Sequence, residues 1–222
     1  MGRLRMLLRG FIPRLVPNRL VLFFYDLLAG HRRFGTIGAV RDAGPDRGTV
    51  PRMIEDQRAR ASEPFGRSTV AYAGCEVIAL YNAMLYLCGR EPVPFRELIR
   101  IFEKRGMVRH GLWGTSPLAL MRFFDVCAPG GIRAAATADR KRFEEFARTY
   151  PCLIYSFYND GRDIFRGVHT VCLTAGEGGF TAHNLTEDGR THGPYPTLEA
   201  LCADHQGGRM KGLYLLGLRK DP

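Results

Sequence analysis

The 222-residue sequence has one tryptophan, Trp113, and only four lysines, Lys104, Lys141, Lys211 and Lys220. It has no CxxC pair, no HxxxH and no His/Cys cluster, which argues against a zinc site or a redox dithiol. No apolar run approaches the ~20 residues that span a bilayer. Internal repeats and low-complexity tracts are absent as well. The glycine-rich GEGG at 176–179 separates two β-rich runs and opens no helix, so it is no phosphate cradle. No cofactor and no metal are expected.

What is present is a chain with 45% hydrophobic and 24% charged residues, enough apolar material for one substantial core. The net charge is +10, and arginine supplies nearly all the positive side. That bias has two readings, binding to phosphate or anionic lipid, or a GC-rich genome. No groove pattern of interleaved aromatic and basic residues accompanies it, so nucleic acid is not an expected partner. The six cysteines, 75, 88, 127, 152, 172 and 202, sit mostly in apolar runs and read as reduced core residues. A cytoplasmic location follows as an expectation.

Three regions differ in composition. Residues 1–33 carry seven arginines against one acid, Asp26, and two short apolar patches broken by Pro13 and Pro17. They read as a basic, amphipathic helical extension. Two settings remain open for it: short helices packed on the main domain, or a segment lying at a membrane surface, which would make the protein peripheral there. Residues 34–66 read as an extended connection with a short helix at 52–60. Residues 67–222 form the main domain.

Within that domain the period changes midway. Apolar residues from Cys75 to Leu87 repeat at helical spacing until Gly89. A second helix starts near Pro94 and buries Phe95, Leu98, Ile99 and Phe102. A third is capped by Thr115 or Ser116 with Leu118, Met121 and Phe124 inward, and a fourth is capped by Asp139. Beyond residue 150 come β-rich runs at 152–158, 168–175 and 179–185, a short helix at 197–204 and a last strand at 212–218. Helices first and an antiparallel sheet afterwards is an α+β arrangement.

Three residues carry the chemistry. Cys75 stands at the first turn of its helix, where unpaired N–H groups and the helix dipole favour a thiolate. His169 opens a strand and shares a face with Val171 and Leu173. Asn184 comes fifteen residues later in the next strand of the hairpin, where its amide can orient an imidazole. Nucleophile, base and orienting group thus follow in chain order. His183, beside Asn184, is expected on the opposite strand face as a surface or binding residue.

GCEVIALYNA, VHTVCLTA and FTAHNL together resemble the papain-like cysteine peptidases, most closely the bacteriocin-processing (C39) type, over about residues 72–218. The resemblance implies a papain-like fold and a Cys75–His169–Asn184 triad. It also implies hydrolysis of a peptide or protein substrate, or another amide, through an acyl-thioester. Relatives of that type have a glutamine six residues before the cysteine that completes the oxyanion hole; here Thr69 stands there, and Gln57 is the only glutamine upstream. Thr69 and Gln57 are therefore the oxyanion-hole candidates. Glu76 replaces the usual small or neutral residue after the cysteine and opposes thiolate formation. Glu76 and Trp113 are the candidates for lining a substrate groove. The alternative reading is an inactive papain-like domain that binds peptides or a protein partner.

Overall fold

The computed structural model describes residues 15–29, 51–66, 68–104, 115–127, 129–163 and 166–220. Helix α1 (Asn18–Ala29) comes first, then an extended strap at 51–56 and a 3-10 turn at Arg58–Arg60. A two-stranded ribbon, β1 (Pro64–Phe65) with β2 (Ser68–Thr69), leads into α2 (Val70–Ala73), α3 (Cys75–Cys88), α4 (Phe95–Lys104) and α5 (Pro117–Cys127). The remainder is β3 (Ile132–Thr137), α6 (Phe143–Ala147), β4 (Cys152–Tyr158), β5 (Val168–Gly176), β6 (Gly179–His183), β7 (His192–Tyr195), α7 (Leu198–Asp204) and β8 (Lys211–Lys220). The fold is α+β, and its six-stranded sheet runs β3-β8-β4-β5-β6-β7 with every pairing antiparallel.

Strand alternation divides the core into two layers. Cys152, Ile154, Cys172, Leu216 and Leu218 face α3, α4 and α5. Leu153, Tyr155, Phe157, Val171, Leu173 and Leu215 face α6 and α7. Every residue of β4 is buried, so the strand reads as a continuous apolar run rather than an alternating one. Helix α3 is apolar almost all round because it is covered by the sheet on one side and helices on the other. It ends where Gly89, at φ 64°, donates its N–H to the Leu85 carbonyl.

Several sequence expectations are corrected. The span 52–60 is helical only at its end, in the 3-10 turn Arg58–Arg60. Both backbone polar groups of Ile54 are taken by the buried Asn82 side chain, N–H to Oδ1 at 2.8 Å and Nδ2 to the carbonyl at 2.9 Å, which holds the strap extended. Helix α5 buries Ala119, Leu120, Phe123 and Phe124, while Leu118 and Met121 are only partly covered. Its buried face is set by Phe123, which stacks edge-on with Phe124 and packs on Phe102. Strand β6 stops at His183, and β3 and β7 are additional strands.

The stretches expected to be an extension and a connection contribute to the same core. Leu22, Ile54 and Phe65 all lie in the layer under α3. Helix α1 is tied down further by Asn18, which donates to the Gly212 carbonyl and accepts from Arg140, and by an ion pair between Asp26 and Arg122. Among the described residues no helix is long and apolar enough to cross a membrane.

Candidate active site

The turn that presents Cys75 is built on Gly74. A Cβ there would come within 2.6 Å of the Val70 carbonyl oxygen, so only glycine lets α2 break and α3 start immediately. Cys75 is thus the first residue of α3, as the sequence implies.

Its sulfur is not poised as a thiolate. The thiol donates to Oε2 of Glu76 at 3.0 Å and is 7% exposed. Burial pushes its pKa well up, and the neighbouring Glu76 charge adds to that; the backbone amide of Thr170, which faces the same sulfur, works in the opposite direction. Glu76 is itself buried. Its other oxygen accepts from the Thr170 hydroxyl at 3.3 Å, and that hydroxyl is bonded to Ser156 at 2.9 Å. Burial raises the Glu76 pKa to about 7, partly offset by its hydrogen bonds to Cys75, Thr170 and the Thr115 backbone. Glu76 therefore does not line a groove; it is an interior partner of the thiol. The hydroxyl of Thr115 is buried close by without a hydrogen-bond partner among the described residues.

His169 sits one residue before Thr170 at the start of β5. Thr170 faces α3, whereas the His169 ring lies edge-on against Phe157, which also meets the ring of His205. Nε2 of His169 bonds the main-chain carbonyl of Asn184 at 2.7 Å. A carbonyl only accepts, so Nε2 carries the hydrogen and the neutral ring keeps its lone pair on Nδ1. Burial lowers the His169 pKa, against the raising influence of that hydrogen bond and of Glu187.

Asn184 meets His169 through its backbone, not its amide as expected. Because β6 ends at His183, Asn184 turns into the left-handed region at φ 60°, where asparagine is among the better tolerated residues. The turn aims its carbonyl at the imidazole and its side chain at Gln57. There the Gln57 N–H donates to Oδ1 at 3.0 Å and Nδ2 donates to Gln57 Oε1 at 3.3 Å. Gln57 Nε2 in turn donates to the Ala71 carbonyl at 2.9 Å. The strap thus folds Gln57 back between Asn184 and α2, although both ends of its amide are occupied. Thr69 ends β2, paired with Pro64, just before α2. Trp113 lies outside the described residues.

Glu55 was not anticipated. One of its oxygens pairs with Nδ1 of His183 at 2.7 Å and the other accepts the Asn184 N–H at 3.1 Å. Nε2 of His183 meets the Thr174 hydroxyl at 3.0 Å, so this histidine is an interior anchor of the strap and not a surface residue. Asn82, alone among the apolar residues of mid-α3, was the one available signal of a buried polar contact; Glu55 left none, since its partners are about 130 residues away. Among the described residues no group of three or more His, Cys, Asp or Glu could hold a metal ion. Compared with known proteins, the chain matches no family model, no curated protein and no solved structure.

Proposed function

We propose that the protein is a papain-like thiol hydrolase, a cysteine peptidase or amide hydrolase, and that the geometry described is its resting state. The observation that carries this reading is the placement of Cys75 at the start of α3 with its sulfur against the amide of Thr170, the residue next to His169. His169 commits Nε2–H to Asn184 and keeps Nδ1 as a base. The His169 ring itself packs on Phe157 and has no hydrogen bond to Cys75 among the described residues, so the reaction requires the ring to turn towards the sulfur. In this reading the thiol leaves Glu76 and passes its proton to His169 Nδ1 as the sulfur bonds to the substrate carbonyl carbon. The backbone N–H groups at the start of α3 face the developing oxyanion. The C–N bond then breaks as His169 returns the proton to the leaving amine, giving an acyl-thioester. Water, deprotonated by His169, attacks that thioester; the C–S bond breaks and the thiol is restored. Asn184 orients the ring through its carbonyl, and Gln57 fixes Asn184.

A second reading, a papain-like domain that binds a peptide or protein partner without cutting it, is favoured by the Cys75–Glu76 bond, by the burial of both groups and by the packing of the His169 ring on Phe157. Peptidyl vinyl sulfones separate the two. The hydrolase reading expects a mass adduct on Cys75 that His169→Ala abolishes. Labelling spread over the other cysteines, or unchanged in His169→Ala, would leave the binding reading.

A further inference from the structure

The large apolar side chains exposed on the described surface are concentrated on one helix. Of seven such residues, five fall between positions 15 and 27: Leu15, Leu20, Phe23, Phe24 and Leu27. The last four are spaced i, i+3, i+4 and i+7 along α1, which places them on one face. Phe23 is 59% exposed and Leu27 64%, even though the opposite side of the same helix is firmly seated through Asn18, Leu22 and the Asp26–Arg122 pair. Helix α1 is therefore held at the surface with an apolar face directed away from the domain.

We propose that this face is the docking surface for an anionic lipid bilayer, on which the domain rests with α1 parallel to the membrane plane. Charge complementarity selects this occupant. Arg19 is exposed on α1, and Arg3, Arg5, Arg9, Arg14, Arg32 and Arg33 flank the helix in sequence. Against these seven arginines the first 33 residues hold one acid, Asp26, and it is already neutralised by Arg122. A docking face for a second copy of this +10 chain would bring like charges together. An anionic surface instead attracts the flanking arginines while Phe23, Phe24 and Leu27 enter the boundary between headgroups and acyl chains. Twelve residues make α1 about 18 Å long, too short to span a bilayer but suited to lying on one.

The test is co-sedimentation of the full chain with vesicles of phosphatidylcholine alone and of phosphatidylcholine with about a quarter phosphatidylglycerol. The expected result is binding to the anionic vesicles only, weakened by added salt. Phe23→Ser combined with Phe24→Ser should reduce that binding at least about tenfold, since two exposed rings lose their burial. Circular dichroism should be unchanged, because neither ring is in the core. Cys75→Ala should bind as the parent does, which separates this surface from the chemistry at the thiol. Failure of the parent to co-sediment, equal binding by the double variant, or a double variant whose only change is the loss of a dimer in sedimentation velocity would each overturn the assignment.

Discussion

The thiol of Cys75 and the carboxylate of Glu76, neighbours in sequence, share a hydrogen bond 3.0 Å long inside the protein; Glu76 adds to the burial that raises the thiol's pKa, while the bond from the thiol lowers that of Glu76. Removing the Glu76 charge while keeping its shape should release the sulfur. In Glu76→Gln the midpoint of Cys75 alkylation by iodoacetamide, followed by mass spectrometry across pH, is expected to move down, with a faster reaction at neutral pH. An unchanged midpoint would mean that burial alone sets the thiol.

Glu76 also makes stability depend on pH. Its pKa rises from 4.5 in the unfolded chain to about 7 in the fold, so the native state holds the proton more tightly. The stability this provides is complete below pH 4.5 and is lost as pH rises through about 7, up to ~3 kcal/mol. Urea unfolding at pH 5 and pH 8 should show Glu76→Gln gaining on the parent at the higher pH. Parallel behaviour of the two proteins would contradict a proton on Glu76.

His169 and Asn184 should respond differently to substitution. His169→Ala removes the base and should abolish the vinyl sulfone adduct. Asn184→Gly keeps the main-chain carbonyl that receives Nε2 and suits the left-handed backbone, so it should retain most labelling. It loses only the hydrogen bonds to Gln57, at about 1 kcal/mol of stability. Complete loss of labelling in Asn184→Gly would show that the Gln57 contact, and not the carbonyl, holds the ring.

Asn82 offers a test of the strap by itself. Asn82→Ala leaves the N–H and carbonyl of Ile54 without partners, which should cost about 2–4 kcal/mol in chemical denaturation. Proteolysis should then cut first between 51 and 60. A loss below ~1 kcal/mol would mean that water replaces the amide.

Local signals carried far in this chain. Gly89 and the apolar spacing of α3, the Ser116 cap of α5, and the Thr197 cap of α7, whose hydroxyl accepts from Ala200, are all short-range features readable from the sequence. Strand β3 was not readable, because IRAAAT has little β propensity and becomes a strand only through its pairing with β8. Strand β7 hides for a related reason: HGPY contains a proline and survives at the sheet edge. At the candidate site, order and spacing single out Cys75, His169 and Asn184. The contact between His169 and Asn184 was not legible, because it turns on the φ of Asn184 and on Gln57 and Glu55 arriving from the strap.

Strand β8, residues Lys211–Lys220, is inserted between β3 and β4, not at an edge. During synthesis β4, β5, β6 and β7 can pair in turn as they emerge, yet one side of β4 stays open until residue 220 has left the ribosome. That side belongs to CLIYSFY, an uncharged strand fully buried in the finished protein. The nascent chain therefore passes through a stage in which this adhesive edge is unprotected, and a chaperone is what the topology asks of the cell.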